Sequence, residues 1–474
     1  MSTSIPYSDL FGVDEALLGR VLAAAMDRGA HYADIFFEYA TSMSLSLEDG
    51  IISRASTSID RGAGVRAVIG DQTGYAYSES LEEEDLVHAA RTAAAIARGQ
   101  QKGVPQALKV GATHDYYPIQ RGWDLVEVSE KLPLVRRVEE LARAQDPRVD
   151  KVSVSWGDGD ARVLIATSDG MIWGDRRPMA VLRLQVTAEK DGEAQTNFGS
   201  LARRAGLEWF DEERLKTLCQ ETVARTLLLF EASRPPAGEM PVVLSAGASG
   251  ILLHEAIGHG LEADFNRKGI SIYADLLDQK VAEDFITVVD DGTIDAERGA
   301  LNVDDEGNTT ERTVLIENGV LRSYIHDRIS AGHYGVNPTG SGRRESFRHT
   351  PMPRMRCTFM EDGPHERDEI IASVGNGIIA ETFLNGQVQI GAGDFTFYIK
   401  NGWLIEDGKV TAPIKDVNII GNGPDALKNI SMAANDSKLD TGGWTCGKDG
   451  QSVPVSQGIP TVLVQRLTVG GIHE

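Results

Sequence analysis

Ser233-Arg-Pro-Pro-Ala-Gly-Glu-Met240 divides this chain, and Pro241-Val-Val-Leu-Ser245 begins something new after it. Paired prolines remove backbone donors and the glycine loosens the backbone, so the first stretch reads as a linker. The apolar, β-branched run that follows reads as a strand. The 474 residues therefore split into two domains of an α+β protein. Residues 1–235 form an N-terminal domain of helices on antiparallel sheet. Residues 240–474 form a β-rich C-terminal domain.

Working back from the linker, the N-terminal part alternates helices with clusters of strands. A helix is predicted from about Asp14 to Arg28, stopped by Gly29. Strand-like runs follow at Ala33–Tyr39, Ser42–Glu48, Gly64–Ile69 and Gly74–Tyr77. Ser80 and Glu83 have the spacing of a capping box, opening a helix to about Ala97. The order then repeats: a helix over about Ser129–Gln145, strands at Lys151–Trp156, Val163–Thr167, Val181–Ala188 and Gln195–Phe198, and a helix from about Asp211 to Phe230. Turns fall at Asp169-Gly170 and Asp191-Gly192. Two helix–strands–helix units are expected, a possible internal repeat.

Working forward, the C-terminal part is rich in hairpin signals. Asn318-Gly319 sits between two apolar runs, and Asn401-Gly402 and Asp407-Gly408 bracket Trp403–Glu406. Such turns need positive φ, which these residues supply at low cost. The expectation is mostly antiparallel sheet carrying a few helices.

Composition narrows the function. Lys and Arg number 47 against 70 Asp and Glu, a formal charge of −23. So acidic a chain is repelled by nucleic acid and by anionic membrane surfaces, so neither is expected as a partner. No apolar run approaches the roughly 18 residues that span a bilayer, and the first residues lack the basic and apolar regions of a signal peptide. Three cysteines, Cys219, Cys357 and Cys446, do not make a secreted disulfide framework. A cytoplasmic protein is expected. Cys219 lies on an amphipathic helix and Cys357 in a strand, and both read as core.

The strongest local signal is Ser249-Gly-Ile-Leu-Leu-His-Glu-Ala-Ile-Gly-His-Gly-Leu-Glu-Ala-Asp264, which reads as a helix after the strand. It contains His254-Glu255 and, five residues after the first histidine, His259. Zinc peptidases usually space their two histidines by four, placing both on one helical face. At about 100° per residue, five steps leave the second histidine roughly 140° around the axis. Both reach one metal only if the helix distorts or ends between them, and Gly258 and Gly260 weaken it there. Glu255 stands where a peptidase needs a base to deprotonate water. A catalytic zinc takes three protein ligands and leaves a position open. Glu262, Asp264 and Cys446 are the candidates for the third. Cys446 lies in the glycine-rich Gly442-Gly-Trp-Thr-Cys-Gly-Lys-Asp-Gly-Gln451, where Lys448 favours a thiolate.

These stretches resemble a known family. His254-Glu-Ala-Ile-Gly-His-Gly-Leu-Glu-Ala-Asp-Phe-Asn-Arg267, Arg344-Glu-Ser-Phe-Arg-His-Thr-Pro-Met-Pro-Arg-Met355, Asn385-Gly-Gln-Val388 and Thr445-Cys-Gly-Lys-Asp-Gly-Gln-Ser452 are similar, in that order, to motifs of the TldD/PmbA family, on its TldD-type, active side. The resemblance covers essentially the whole chain. It implies a cytoplasmic metallopeptidase of the HExxxH type that binds Zn2+ through His254, His259 and Cys446 and uses Glu255 as general base. It implies substrates that are unfolded or flexible peptides, including leader peptides to be trimmed. It also implies a homodimer, or a heterodimer with a sister subunit of the same family.

Around this site, Asp264, Asn266 and Arg267 are candidates to orient ligands or bind substrate. Arg343, Arg344 and Arg348 are candidates for a peptide carboxylate, and His326, His333 and His349 for an oxyanion. An alternative reading is a non-enzymatic regulatory or binding protein with a structural zinc. Glu255 discriminates the two, since a structural site has no use for it. Another zinc hydrolase, such as an amidase, is the third possibility.

Overall fold

The structure, a computed structural model, describes residues 4–98 and 103–471. Helix α1 (Glu15–Met26) starts where Asp14 accepts the Leu17 N–H at 2.7 Å, and Gly29 turns the chain away after it at a φ of 90°. Strands β1 (Tyr32–Glu48), β2 (Ile51–Ile69) and β3 (Gln72–Ser78) and helix α2 (Glu83–Ala97) complete one unit. Helix α3 (Val128–Arg143), strands β4 (Val149–Thr167), β5 (Met171–Lys190) and β6 (Glu193–Arg203), and helix α4 (Glu212–Leu228) repeat its order. β1 and β4 pair antiparallel in the middle of one sheet running β3-β2-β1-β4-β5-β6, with Lys109–Val110 added beside β5.

Three local expectations are corrected here. The short strands at Ala33–Tyr39 and Ser42–Glu48 are one strand, and so are Lys151–Trp156 and Val163–Thr167. Gly157 and Gly159 do not break β4, because β1 pairs straight past them, at Ser44 and Ser42. The Ser80–Glu83 capping box does not form: Ser80 Oγ donates to Asp85 instead, and Glu82 occupies the N-cap.

The two-residue alternation of β1 assigns the faces. Ala33, Ile35 and Phe37 pack under α1 and α2, while Met43, Leu45 and Leu47 pack under α3 and α4, so all four helices cover the same face. The opposite face, with Phe36, Val163 and Ile165, meets Val303 and Phe347 of the C-terminal half. Buried ion pairs tie that contact. Arg66 reaches Asp34 at 2.5 Å and Glu306 at 2.6 Å, and Arg177 reaches Asp305 at 2.5 Å. Cys219 and Cys357 are core residues, as expected.

In the C-terminal half, Gly238–Leu244, Val462–Gly471, Val417–Asn422, Asp394–Glu406 and Asn376–Gln389 pair in turn, and the last pairs back with both its neighbours, so the ladders close on themselves. Antiparallel pairing dominates, with parallel ladders at Asn376–Gln389 on Gly238–Leu244 and at Cys357–Met360 on Ser456–Ile459. Asn318-Gly319 makes the expected tight turn, with φ of 48° and 78°. Asn401-Gly402 does not. It lies inside the strand Asp394–Glu406, because the Asn401 side chain bonds Thr382, Asn197 and the Arg225 carbonyl rather than its own backbone. Among the described residues, no helix is long and apolar enough to cross a membrane.

Candidate metal centre

The stretch Ser249–Asp264 is not one helix. A 3-10 turn (Ala248–Gly250) leads into a π-helix (Leu252–Gly258), then a second 3-10 turn (His259–Leu261), and α-helix resumes only at Ala263–Arg267. This irregularity resolves the five-residue spacing. A π-turn closes with an i→i+5 hydrogen bond, and here the bond runs from the His259 N–H to the His254 carbonyl. The two histidines are therefore one turn apart and lie on the same side, with ring centroids 5.0 Å apart. Gly258 is required within the turn: a Cβ there would sit 2.1 Å from Met355 Sδ.

Cys446 arrives from the far end of the chain. The hairpin of Thr445–Lys448 with Gln451–Pro454 alternates exposed and buried residues, so Cys446 and Lys448 face inward together. Buried arginines pin the backbone around it. Arg354 donates to the Cys446 carbonyl at 2.6 Å, Arg343 to the Pro454 carbonyl at 2.6 Å, and Arg298 to the Trp444 carbonyl at 2.8 Å.

The result is one buried cluster in which donor atoms of His254, His259 and Cys446 lie within 4.8 Å of one another. Cys446 Sγ and His259 Nε2 are 3.5 Å apart. Zn–S and Zn–N bonds of about 2.3 and 2.0–2.1 Å in a tetrahedron put the two donors about 3.5 Å apart, so the pair fits a tetrahedral edge. Glu262 accepts from His259 Nδ1 at 2.9 Å. A carboxylate only accepts, so Nδ1 carries a proton and donates it to Glu262, and Nε2 is the ring atom that faces the thiol. His254 Nδ1 is buried with no hydrogen-bond partner among the described residues, unusual for a protein interior and consistent with a donor awaiting a ligand.

The electrostatics couple the thiol to the two imidazoles and to Glu262. Burial would raise the Cys446 thiol, but the charge and hydrogen bonds of His254 and His259 outweigh it and hold the thiol well below its ordinary range. Burial would depress His259, but Glu262 and Cys446 raise it well above. Glu262 itself, despite burial, is drawn down to about 2 by Lys448 and His259.

Glu255 follows His254 on the π-turn and, unlike the three donors, is only half-buried. An open cleft of about 1370 Å³ runs nearby, lined by Gly247, Ala248, Phe383, Gly443 and Trp444 among others. None of the three donors lines it. Its link to the cluster is through chain neighbours: Gly247 and Ala248 precede the π-turn, and Trp444 stands two residues before Cys446.

The other candidates scatter. Asp264 is buried and holds Lys448 at 2.7 Å, and Asn266 staples the Gly260 and Glu262 carbonyls. Arg267 meets Asp71 at 3.2 Å. Arg344 is buried against Asp34 and the Asp305 carbonyl, and Arg348 pairs with Asp60 and Glu79. His349 bonds Ser346, and His333 is exposed. His326 is buried, which lowers it to about 4. Two residues were missed for what they touch. The carboxylate of Glu262 orients His259, a pairing that the i, i+3 spacing could have signalled, whereas Arg354 carried no signal.

Comparison with known proteins agrees along the chain. Residues 33–97 match the model of PmbA/TldA metallopeptidase domain 1, residues 122–230 that of the central domain, and residues 237–471 that of the C-terminal domain. The metalloprotease TldD homolog of Haemophilus influenzae is 42% identical, over 94% of each chain. The zinc metalloprotease TldD homolog of Saccharolobus solfataricus is 26% identical, over 95% of this chain and 99% of its own. The crystal structure of TldE from Thermococcus kodakarensis superposes with a TM-score of 0.74 at 19% identity, covering 93% of this chain and 97% of that one, which shows a shared fold.

Proposed function

The chain belongs to the PmbA/TldD metallopeptidase family, and from that premise we propose that it is a zinc-dependent peptidase in which His254, His259 and Cys446 hold the metal and Glu255 is the general base. One observation carries the reading: two histidines five residues apart and a cysteine 187 residues further on place donor atoms within 4.8 Å of one another, and a half-buried carboxylate follows the first histidine in sequence. When bound, zinc supplies Lewis-acid chemistry, polarising a carbonyl and acidifying water. Glu255 takes the proton from the attacking water and returns it to the leaving amine. Glu262 keeps the proton of His259 on Nδ1 throughout.

The substrates on this reading are unfolded or flexible peptides, including leader segments. The residues from 240 to 474 form the catalytic domain, and the protein works in the cytoplasm. The assembly is a dimer, either of two copies or with a sister subunit; TldE, a family member of the same fold, is the kind of protein such a sister would be. The reading as a regulatory protein with a structural zinc leaves Glu255 without a role. The test is digestion of an unfolded peptide library by the purified chain, alone and with a sister subunit, before and after chelation and zinc repletion. Zinc-restored cleavage is expected. A fully zinc-loaded protein that cuts nothing in either assembly would overturn the proposal.

A further inference from the structure

Lys448 is not used by the proposed mechanism, yet it is among the most enclosed cations in the protein, with its side chain 2% exposed. Burying an ammonium is costly unless every proton finds an acceptor. It has three protons, and three acceptors are in place: Asp264 Oδ1 at 2.7 Å, Glu262 Oε2 at 3.1 Å and the Pro353 carbonyl at 3.1 Å. The Phe265 ring covers it at 4.2 Å. Glu262 Oε2 is also the atom that accepts from His259 Nδ1. One oxygen thus joins a candidate ligand to a buried cation.

Two short-range patterns build this link. The two-residue period of the hairpin strand puts Cys446 and Lys448 on one face, and the turn after the π-helix puts His259 and Glu262 three residues apart. Where the two elements meet, thiol faces imidazole and ammonium faces carboxylate. Without the ammonium, Glu262 and Asp264 would be two buried anions with no common cation. Glu262 would keep only His259 and the more remote Arg354 as positive partners, and would be free to leave His259 Nδ1 for a bound metal.

We propose that Lys448 is a positioning residue for the metal site: by holding Glu262 and Asp264, it keeps Glu262 on His259 Nδ1 and out of the metal's own ligand set. This rests on the zinc reading above and adds to it the residue that fixes the geometry of one ligand.

The test measures zinc rather than turnover. Affinity of the full chain is determined by competition with a chromogenic chelator for wild type, Lys448→Met, Glu262→Gln and the double variant, and zinc K-edge absorption reports the ligands. Losing such an outer partner typically weakens metal binding about 10- to 100-fold. That loss is expected for Lys448→Met, together with an oxygen replacing a nitrogen around the metal. Because Lys448 acts through Glu262, the double variant should bind about as weakly as either single one. If Lys448→Met does not fold, the near-isosteric Glu262→Gln carries the affinity test. A folded Lys448→Met or Glu262→Gln that binds zinc within twofold of wild type, with an unchanged ligand set, overturns the proposal while leaving the zinc reading intact. Losses that simply add in the double variant also overturn it. A wild-type chain that takes up no zinc overturns both.

Discussion

Gly258→Ala probes the device on which the site depends, the π-turn between the histidines. The added Cβ would lie 2.1 Å from Met355 Sδ and 3.1 Å from the Leu253 carbonyl. Met355 is fully buried, so its sulfur has little room to retreat. Overpacking of this kind typically costs about 1–3 kcal/mol, offset by up to about 1 kcal/mol because alanine suits a helical turn better than glycine. The net expectation is a loss of roughly 1–2 kcal/mol. If the strain is relieved by shifting the turn that carries His259, the loss reappears in metal affinity, at about tenfold per 1.4 kcal/mol, or roughly 5- to 30-fold. Chemical denaturation and chelator competition measure the two parts. Met355→Ala opens a cavity and is costly alone, but combined with Gly258→Ala it should recover part of the loss, since the new methyl group enters the space the sulfur left. Gly258→Ala with unchanged stability and unchanged zinc affinity would refute the claim that close packing against Met355 holds the turn in place.

Other outcomes follow from the same geometry. Glu255→Gln should keep its zinc and lose peptide cleavage by roughly 100-fold or more, as an amide cannot take the proton; near-normal turnover at full zinc content would remove it as the base. Cys446→Ser should bind zinc much more weakly while folding normally, as seen by chelator competition and circular dichroism, and tight binding without the thiolate would exclude it as a ligand. Arg66→Met leaves Glu306 buried without its ion-pair partner and Asp34 with Arg344 alone, at 3.3 Å, and breaking a buried pair typically costs about 3–5 kcal/mol; a loss below about 1 kcal/mol in denaturant would show that the pairs do not tie the halves together. Burial raises Glu38 from its ordinary range to about 7. A carboxyl raised on folding adds stability that is present below its unfolded value and lost as pH climbs through about 7. Glu38→Gln should therefore gain stability relative to wild type between about pH 4.5 and 7 and hold that gain at pH 8, and a pH-independent difference would reject the assignment.

Much of the fold was legible because local chemistry decided it. Asp14 caps helix α1 through the Leu17 N–H, Gly29 turns the chain away just after its end, and Asn318-Gly319 turns with both residues at positive φ. The failures are places where distant residues won. Asn401 reads as a turn residue, but its amide is claimed by Asn197 and the Arg225 carbonyl, about 200 and 180 residues away in sequence. Gly157 and Gly159 look like breaks, but β1 supplies a partner for β4 on both sides of them. The histidine spacing showed that a regular helix could not serve both rings, and the glycines showed where it would yield. The kind of distortion, a π-turn whose bond joins the two histidines, depends on packing against Met355 that no local pattern encodes. Cys446 gave only a glycine-rich loop as its signal. Lys448 reads as a cation that favours the neighbouring thiolate, whereas its protons go to Glu262, Asp264 and a carbonyl.

The central claim is that one zinc sits between His254, His259 and Cys446. Zinc analysis of the purified chain together with zinc K-edge absorption tests it without reference to substrate or partner. The account predicts one zinc per chain with one sulfur at about 2.3 Å and two imidazole nitrogens at about 2.0–2.1 Å. A loaded protein whose zinc shows no sulfur neighbour, or a chain that binds no zinc at neutral pH, would contradict it.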